Sequence, residues 1–188
     1  MGKFPNVVLV LTLVSALAQA QTPEPPAVSR EPLNRMQDLA MLAGDWSVTI
    51  YTSEDDGDTW TAAGTEPVSI KFGHKGFMLE EVPGDLTTPG FHMHTIITYD
   101  QYRGVYRKAA LDDIWGILDL YEGNIVDNKL MLDNLKSGTF FPIDEKTWRG
   151  FRLTLELQNA NREMLVESTD DNGESWQARF KMHYVKRS

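Results

Sequence analysis

A chain of 188 residues with 41% apolar side chains is the right size for one well-filled domain. Its formal net charge of −9 repels phosphate backbones and anionic headgroups, so nucleic acid is set aside as a partner. With no cysteine, disulfide staples, thiol chemistry and a lipidated cysteine are excluded together, and the fold must be held by its core alone.

The first twenty residues read as a signal peptide. Lys3 supplies the positive start, Val7 to Leu17 is a short apolar run, and Ala18-Gln19-Ala20 is a small-x-small signal with cleavage expected before Gln21. That run falls short of the roughly 20 residues a bilayer span needs, and no later stretch approaches it, so no membrane span is expected in the mature chain. The destination would be the periplasm or the medium. Residues 21–32 carry Pro23, Pro25, Pro26 and Pro32 among polar neighbours and read as an extended linker. The remaining 33–188 read as a single domain. It opens with Leu33, Met36, Leu39, Met41 and Leu42 at roughly helical spacing, one or two turns suited to plugging a barrel end.

From Leu42-Ala43-Gly44-Asp45-Trp46 onward the pattern changes to period two. Strands are expected over Trp46 to Tyr51, Thr65 to Phe72, Phe77 to Val82, Phe91 to Tyr99 and Val105 to Leu111. They continue over Trp115 to Tyr121, Lys129 to Leu132, Trp148 to Leu157, Arg162 to Ser168 and Trp176 to Val185. Turn chemistry separates them, as in Gly73-His74-Lys75-Gly76, Pro83-Gly84 and Asp100 to Gly104. About ten short strands with short links and almost no helix predict an all-β, up-and-down antiparallel barrel, a closed form that leaves no sheet edge exposed.

Two turns repeat. Ser53-Glu54-Asp55-Asp56-Gly57-Asp58-Thr59-Trp60 fits the Asp-box pattern of sialidase-like propellers, and Thr169-Asp170-Asp171-Asn172-Gly173-Glu174-Ser175-Trp176 fits its looser form. A propeller needs a copy for each of at least four blades, so two widely separated copies are read as hairpin corners. The acids Asp55, Asp56 and Asp58 lack the ligand spacing of a calcium loop and are read as a solvated turn.

Leu42-Ala43-Gly44-Asp45-Trp46, Phe91, Tyr99-Asp100 with its following turn, and the final Tyr184-Val185-Lys186-Arg187 together resemble the bacterial domain-of-unknown-function 1579 family over about Met36 to Arg187. The resemblance implies a lipocalin-like barrel and no established activity. The Gly-Asp-Trp opening is also similar to the start of lipocalins and related calycins. By that likeness Trp46 closes the barrel base, and Lys186 or Arg187 packs over it through a cation-π contact. Where the family often has a Gly-rich strand before Tyr-Asp, this chain has His92-Met93-His94-Thr95-Ile96-Ile97-Thr98.

No constellation of catalytic type stands out. His92 and His94, one residue apart, would share a face if both lay on a strand, and with Glu80 or Glu81 they offer the donors of a metal site; His74 lies in a turn. The competing reading turns both imidazoles to solvent while Phe91, Met93, Thr95, Ile97 and Tyr99 fill the barrel. There is no Gly-x-Ser-x-Gly elbow, Walker loop or dinucleotide fingerprint, and no motif asks for a cofactor. Trp115, Tyr106, Phe140, Phe141 and Trp148 recur among the middle strands and fit a mostly apolar cavity for one small ligand. The reading is therefore an exported, lipocalin-like protein binding a small apolar or amphipathic molecule. Tyr106, Trp115 and Trp148 would line the cavity, with His92 and His94 giving orientation. A barrel with a structural or partner-binding role, and a metal-dependent enzyme built on the histidine pair, are the alternatives.

Overall fold

The computed structural model describes residues 29–187 except 85, 88, 89 and 159. The expected signal peptide and most of the linker lie outside the described residues. Helix α1, Glu31–Gln37, and a 3-10 turn, Ala40–Leu42, precede eleven strands. These are β1 Gly44–Thr52, β2 Thr61–Gly73, β3 Met78–Pro83, β4 Met93–Asp100, β5 Val105–Asp112 and β6 Leu118–Val126. Then come β7 Lys129–Asp133, the two-residue β8 Phe141–Pro142, β9 Trp148–Glu156, β10 Arg162–Thr169 and β11 Gln177–Lys186.

Each of β1 to β6 pairs antiparallel with the next, β7 passes over β8 to pair with β9, β9 pairs with β10 and β10 with β11, and β11 returns to β1. Ten strands thus form a closed up-and-down barrel, with β8 attached to the end of β9. Closure comes from the first and last strands, β1 and β11, pairing with each other, so each of the ten long strands has two partners among the described residues.

Period two decides which side chains enter the lumen. Trp46 and Val48 of β1, Val68 and Ile70 of β2, Tyr106, Lys108 and Ala110 of β5, and Met164 and Val166 of β10 are buried inside. Met36, Leu39 and Leu42, from α1 and the 3-10 turn, are buried with them, so the helix plugs one end as its spacing predicts. Each buried Val, Leu, Ile or Met among them contributes on the order of 1.5–3 kcal/mol.

The helix begins at Glu31, ahead of the expected Leu33. Pro32 sits in the first turn, where a missing N–H breaks no helical bond, and Ser29 Oγ accepts the Glu31 N–H at 3.0 Å. A larger correction concerns β6, which starts at Leu118 and not at Trp115. The Asp112 carboxylate accepts the backbone N–H groups of Ile114 (2.9 Å), Trp115 (2.5 Å) and Ile117 (2.8 Å), which wraps the preceding residues into a turn. β4 likewise starts at Met93, so Phe91 and His92 lie ahead of the strand. β8 has no counterpart in the sequence pattern, being only two residues long.

The two repeated turns have matching hydrogen bonds. Asp55 accepts from the Thr59 N–H (2.9 Å) and hydroxyl (2.5 Å), and Asp171 from those of Ser175 at the same two distances. Gly57 N–H donates to Ser53 Oγ and Gly173 N–H to Thr169 Oγ1, both at 2.8 Å. Asp56 and Asn172 hold positive φ just before these glycines. The Ala178 N–H donates to Asp56 Oδ1 at 2.6 Å, which ties the two hairpins together at the end opposite the plug.

Candidate functional site

The plug end is sealed around Trp46. Its Nε1–H donates to the Leu42 carbonyl at 2.8 Å, and its ring meets Tyr184 edge-on at 6.3 Å. Lys186 Nζ lies 5.7 Å from the ring centroid, and the Arg162 guanidinium, from β10, lies 4.8 Å from it. The Arg187 N–H donates to the Asp45 carbonyl at 2.8 Å. The space left above this layer is about 20 Å³, room for about one water. Glu81 and Lys108 border it. Burial pushes the Glu81 carboxyl up and the Lys108 ammonium down, each opposed by the other's charge, and Tyr184 Oη donates to Glu81 Oε1 at 3.4 Å.

The other end is open. A mostly apolar cavity of about 570 Å³ lies among the mouth-end residues of β1, β2, β4, β6, β9 and β11. β3 and β4 share only three register pairs, ending at Glu81 and Thr95, and the described residues 90–92 lie in the segment between the two strands. Gly90, Phe91 and His92 line the cavity from that segment. Trp115 bridges two phenyl rings on the rim, with centroids 5.9 Å from Phe91 and 5.4 Å from Phe141. Below it Ile50, Met93, Ile117, Phe151 and Met182 form the apolar wall.

Polar groups enter this wall at few points. His92 is 6% exposed; Asp113 accepts its backbone N–H (2.9 Å) and approaches Nδ1 at 2.8 Å. A carboxylate only accepts, so Nδ1 carries the proton and Nε2 is left as the second face of the ring. Hydrogen bonds from the His92 backbone and ring hold the Asp113 carboxyl below its ordinary range. Burial raises Glu66, helped by Glu81 and Asp113 and opposed by His92. Burial also raises Asp119, against hydrogen bonds from Tyr121 and Thr139. Asp112 goes the other way: burial would raise it, but the N–H groups of Trp115, Ile117, Ile114 and Gly116 outweigh that and lower it.

Of the five residues singled out as ligand-binding, Trp115 and His92 lie on this cavity. Tyr106 lies at the plug end, where its hydroxyl donates to the Arg35 carbonyl at 2.9 Å and meets Asp38 Oδ2 at 3.1 Å. It also borders a polar groove beside the helix, lined in addition by Tyr99, Asn124 and Asn128. Trp148 begins β9 with its ring exposed. His94 points out of the barrel, its Nε2 2.8 Å from Glu80 Oε1. The two histidines therefore do not share a site: the strand that would align them starts between them. Among the described residues no three His, Asp or Glu side chains converge as a metal would require.

Glu66 and Asp119 were not picked out as site residues from the sequence, and Trp115 and Phe141, named there among the cavity aromatics, were not joined with Phe91 into one rim. Parity places two of them, since Glu66 alternates with Val68 and Ile70, and Asp119 with Tyr121. The aromatic set joins three loop or near-loop positions distant in sequence, which no local pattern encodes.

A closed antiparallel barrel, plugged at one end and hollow at the other, is the class of protein that fold and cavity define. Residues 31–186 match the family described as Protein of unknown function (DUF1579), and the chain belongs to that family. No curated protein matches the chain.

Proposed function

We propose that this protein is exported and binds one small apolar or amphipathic molecule in the mouth of its barrel. The observation that carries the reading is the cavity of about 570 Å³, well within the range of small-molecule sites, with apolar walls and a Trp115-centred aromatic rim. Aromatic faces bury large area with little side-chain entropy, which suits a rim that must grip a guest. The leader over Met1 to Ala20 supports export.

Titration with N-phenyl-1-naphthylamine, a neutral apolar fluorophore, tests the site. Saturable enhancement with one site per chain is expected, weakened by roughly tenfold in Trp115→Ala. An absence of saturable binding, or unchanged binding by that variant, overturns the reading. Export is checked separately: expression of the full chain in a Gram-negative host should yield a periplasmic species whose mass corresponds to an N-terminus at Gln21.

A further inference from the structure

Along β2 the lumen-facing positions run Ile70, Val68, Glu66, Gly64. Two buried aliphatic side chains give way to a carboxyl, then to no side chain at all, where the cavity opens. Among the described residues no hydrogen bond or ion pair reaches the Glu66 carboxylate. The other ionic groups of the cavity are already engaged. Asp112 is held by backbone N–H groups, and Asp119 accepts the Tyr121 hydroxyl at 3.1 Å. Arg149 is clamped bidentately by Asp170, with both bonds at 2.7 Å. Arg179 donates through Nε to Ser168 Oγ at 3.1 Å and through Nη2 to Gln177. The arginines are thus turned to protein acceptors and the His92 ring to Asp113, while one carboxyl facing the apolar space accepts no hydrogen bond and forms no ion pair among the described residues, with only the His92 charge opposing its rise. A guest anion would lose its water beside that carboxyl and find the Arg149 fork occupied; a guest cation would complete a pair in a poorly hydrated site.

We infer that the cavity takes an amphiphile bearing a protonated amine, its nitrogen facing Glu66 and its apolar part against Trp115, Phe91 and Phe141. This ligand class rests on the binding reading above. It makes Glu66 the determinant of specificity and the aromatic rim the source of most of the affinity.

Displacement of bound N-phenyl-1-naphthylamine by three matched twelve-carbon amphiphiles, each below its micellar concentration, tests it: dodecylammonium, dodecanol and dodecanoate. Dodecylammonium should displace the probe at a concentration roughly tenfold or more below dodecanoate. Glu66→Gln should shrink that ratio to about twofold or less, whereas Glu174→Gln, at an exposed site, should leave it unchanged. Equal or better displacement by dodecanoate overturns the inference. So does a ratio that survives in Glu66→Gln, or one that falls equally in Glu174→Gln, which would mark general attraction to an acidic surface. If Glu66→Gln does not fold, the wild-type protein must still separate dodecylammonium from uncharged dodecanamide by a similar factor, and failure to do so is decisive. Displacement by all three compounds alike defeats only the amine preference, while a protein that binds neither the probe nor any amphiphile defeats the binding reading itself.

Discussion

The plug end and the mouth of this barrel are made from the same strands with the same inside-outside alternation, yet one is solid and the other hollow. At the plug end the inward positions hold Trp46, Ile70, Leu79, Ile97, Arg162 and Tyr184, and the segment ahead of β1 adds Met36, Leu39 and Leu42; about 20 Å³ stays empty. At the mouth the inward positions hold Ile50, Glu66, Met93, Asp119, Phe151 and Met182, Gly64 adds no side chain, and about 570 Å³ stays empty. Barrel geometry therefore does not decide whether a lumen is filled. What decides is the segment that folds into it and the volume of side chains at each level.

Substitutions can break this contrast, and the largest effect is expected at the sealed end. Trp46→Ala should cost about 3–5 kcal/mol in chemical denaturation, because a fully buried ring and its bond to Leu42 are lost and the close-packed layer cannot collapse around the gap. Trp115→Ala, at a residue 60% exposed, should stay within about 0.5 kcal/mol of wild type while binding weakens by about tenfold. Equal destabilisation by the two would erase the distinction between a structural end and a binding end.

A smaller effect sharpens the role of the helix. Tyr106→Phe removes the hydroxyl that ties β5 to Arg35 and Asp38, and should cost about 1 kcal/mol, with faster amide exchange in α1 than in β5. Unaltered exchange in α1 would mean that apolar packing alone seats the plug.

The smallest effects are those of pH, and they have opposite signs at two places in the mouth. Asp55 and Asp171 are lowered from 3.8 to about 2, Asp55 first by the Thr59 hydroxyl and Asp171 first by that of Ser175. A depressed carboxyl contributes stability that is present above its unfolded pKa and is lost as pH falls through its folded pKa. The double variant Asp55→Asn, Asp171→Asn should therefore flatten the loss of stability between about pH 4 and pH 2, read from thermal midpoints across that range. Glu66 is raised by burial, so its contribution is present below the ordinary carboxylate pKa and fades as pH rises through the raised value. Glu66→Gln should lessen that decline; a steeper decline in the variant would contradict the desolvated setting of this carboxyl.

Much of the frame is readable along the chain. Alternation in segments such as Val105 to Leu111 and Arg162 to Ser168 marks strands whose pairing partners are simply their sequence neighbours, and Gly44-Asp45-Trp46 marks where helix gives way to barrel. Local hydrogen-bonding residues account for the repeated hairpins, where Asp55 and Asp171 bond within their own loops. The site is less readable. Trp115 reads as part of a strand because it precedes Leu118-Asp119-Leu120-Tyr121, and only the hydrogen bonds of Asp112 show that it belongs to a turn. His92 and His94 read as one face because parity assumes a strand, and β4 has not begun at His92.

The amino-acid sequence by itself determined the class of fold, the plug and the parity of nearly every strand residue, since each depends on spacing within a few positions and on burying one face. Tertiary structure decided the height of each inward residue along the barrel and hence which end stayed hollow. It also brought Phe91, Trp115 and Phe141 onto one rim and left Glu66 facing open space. The reason is physical: alternation specifies a face, whereas level and proximity follow from the register of ten strands closing on one another, a property of the whole chain.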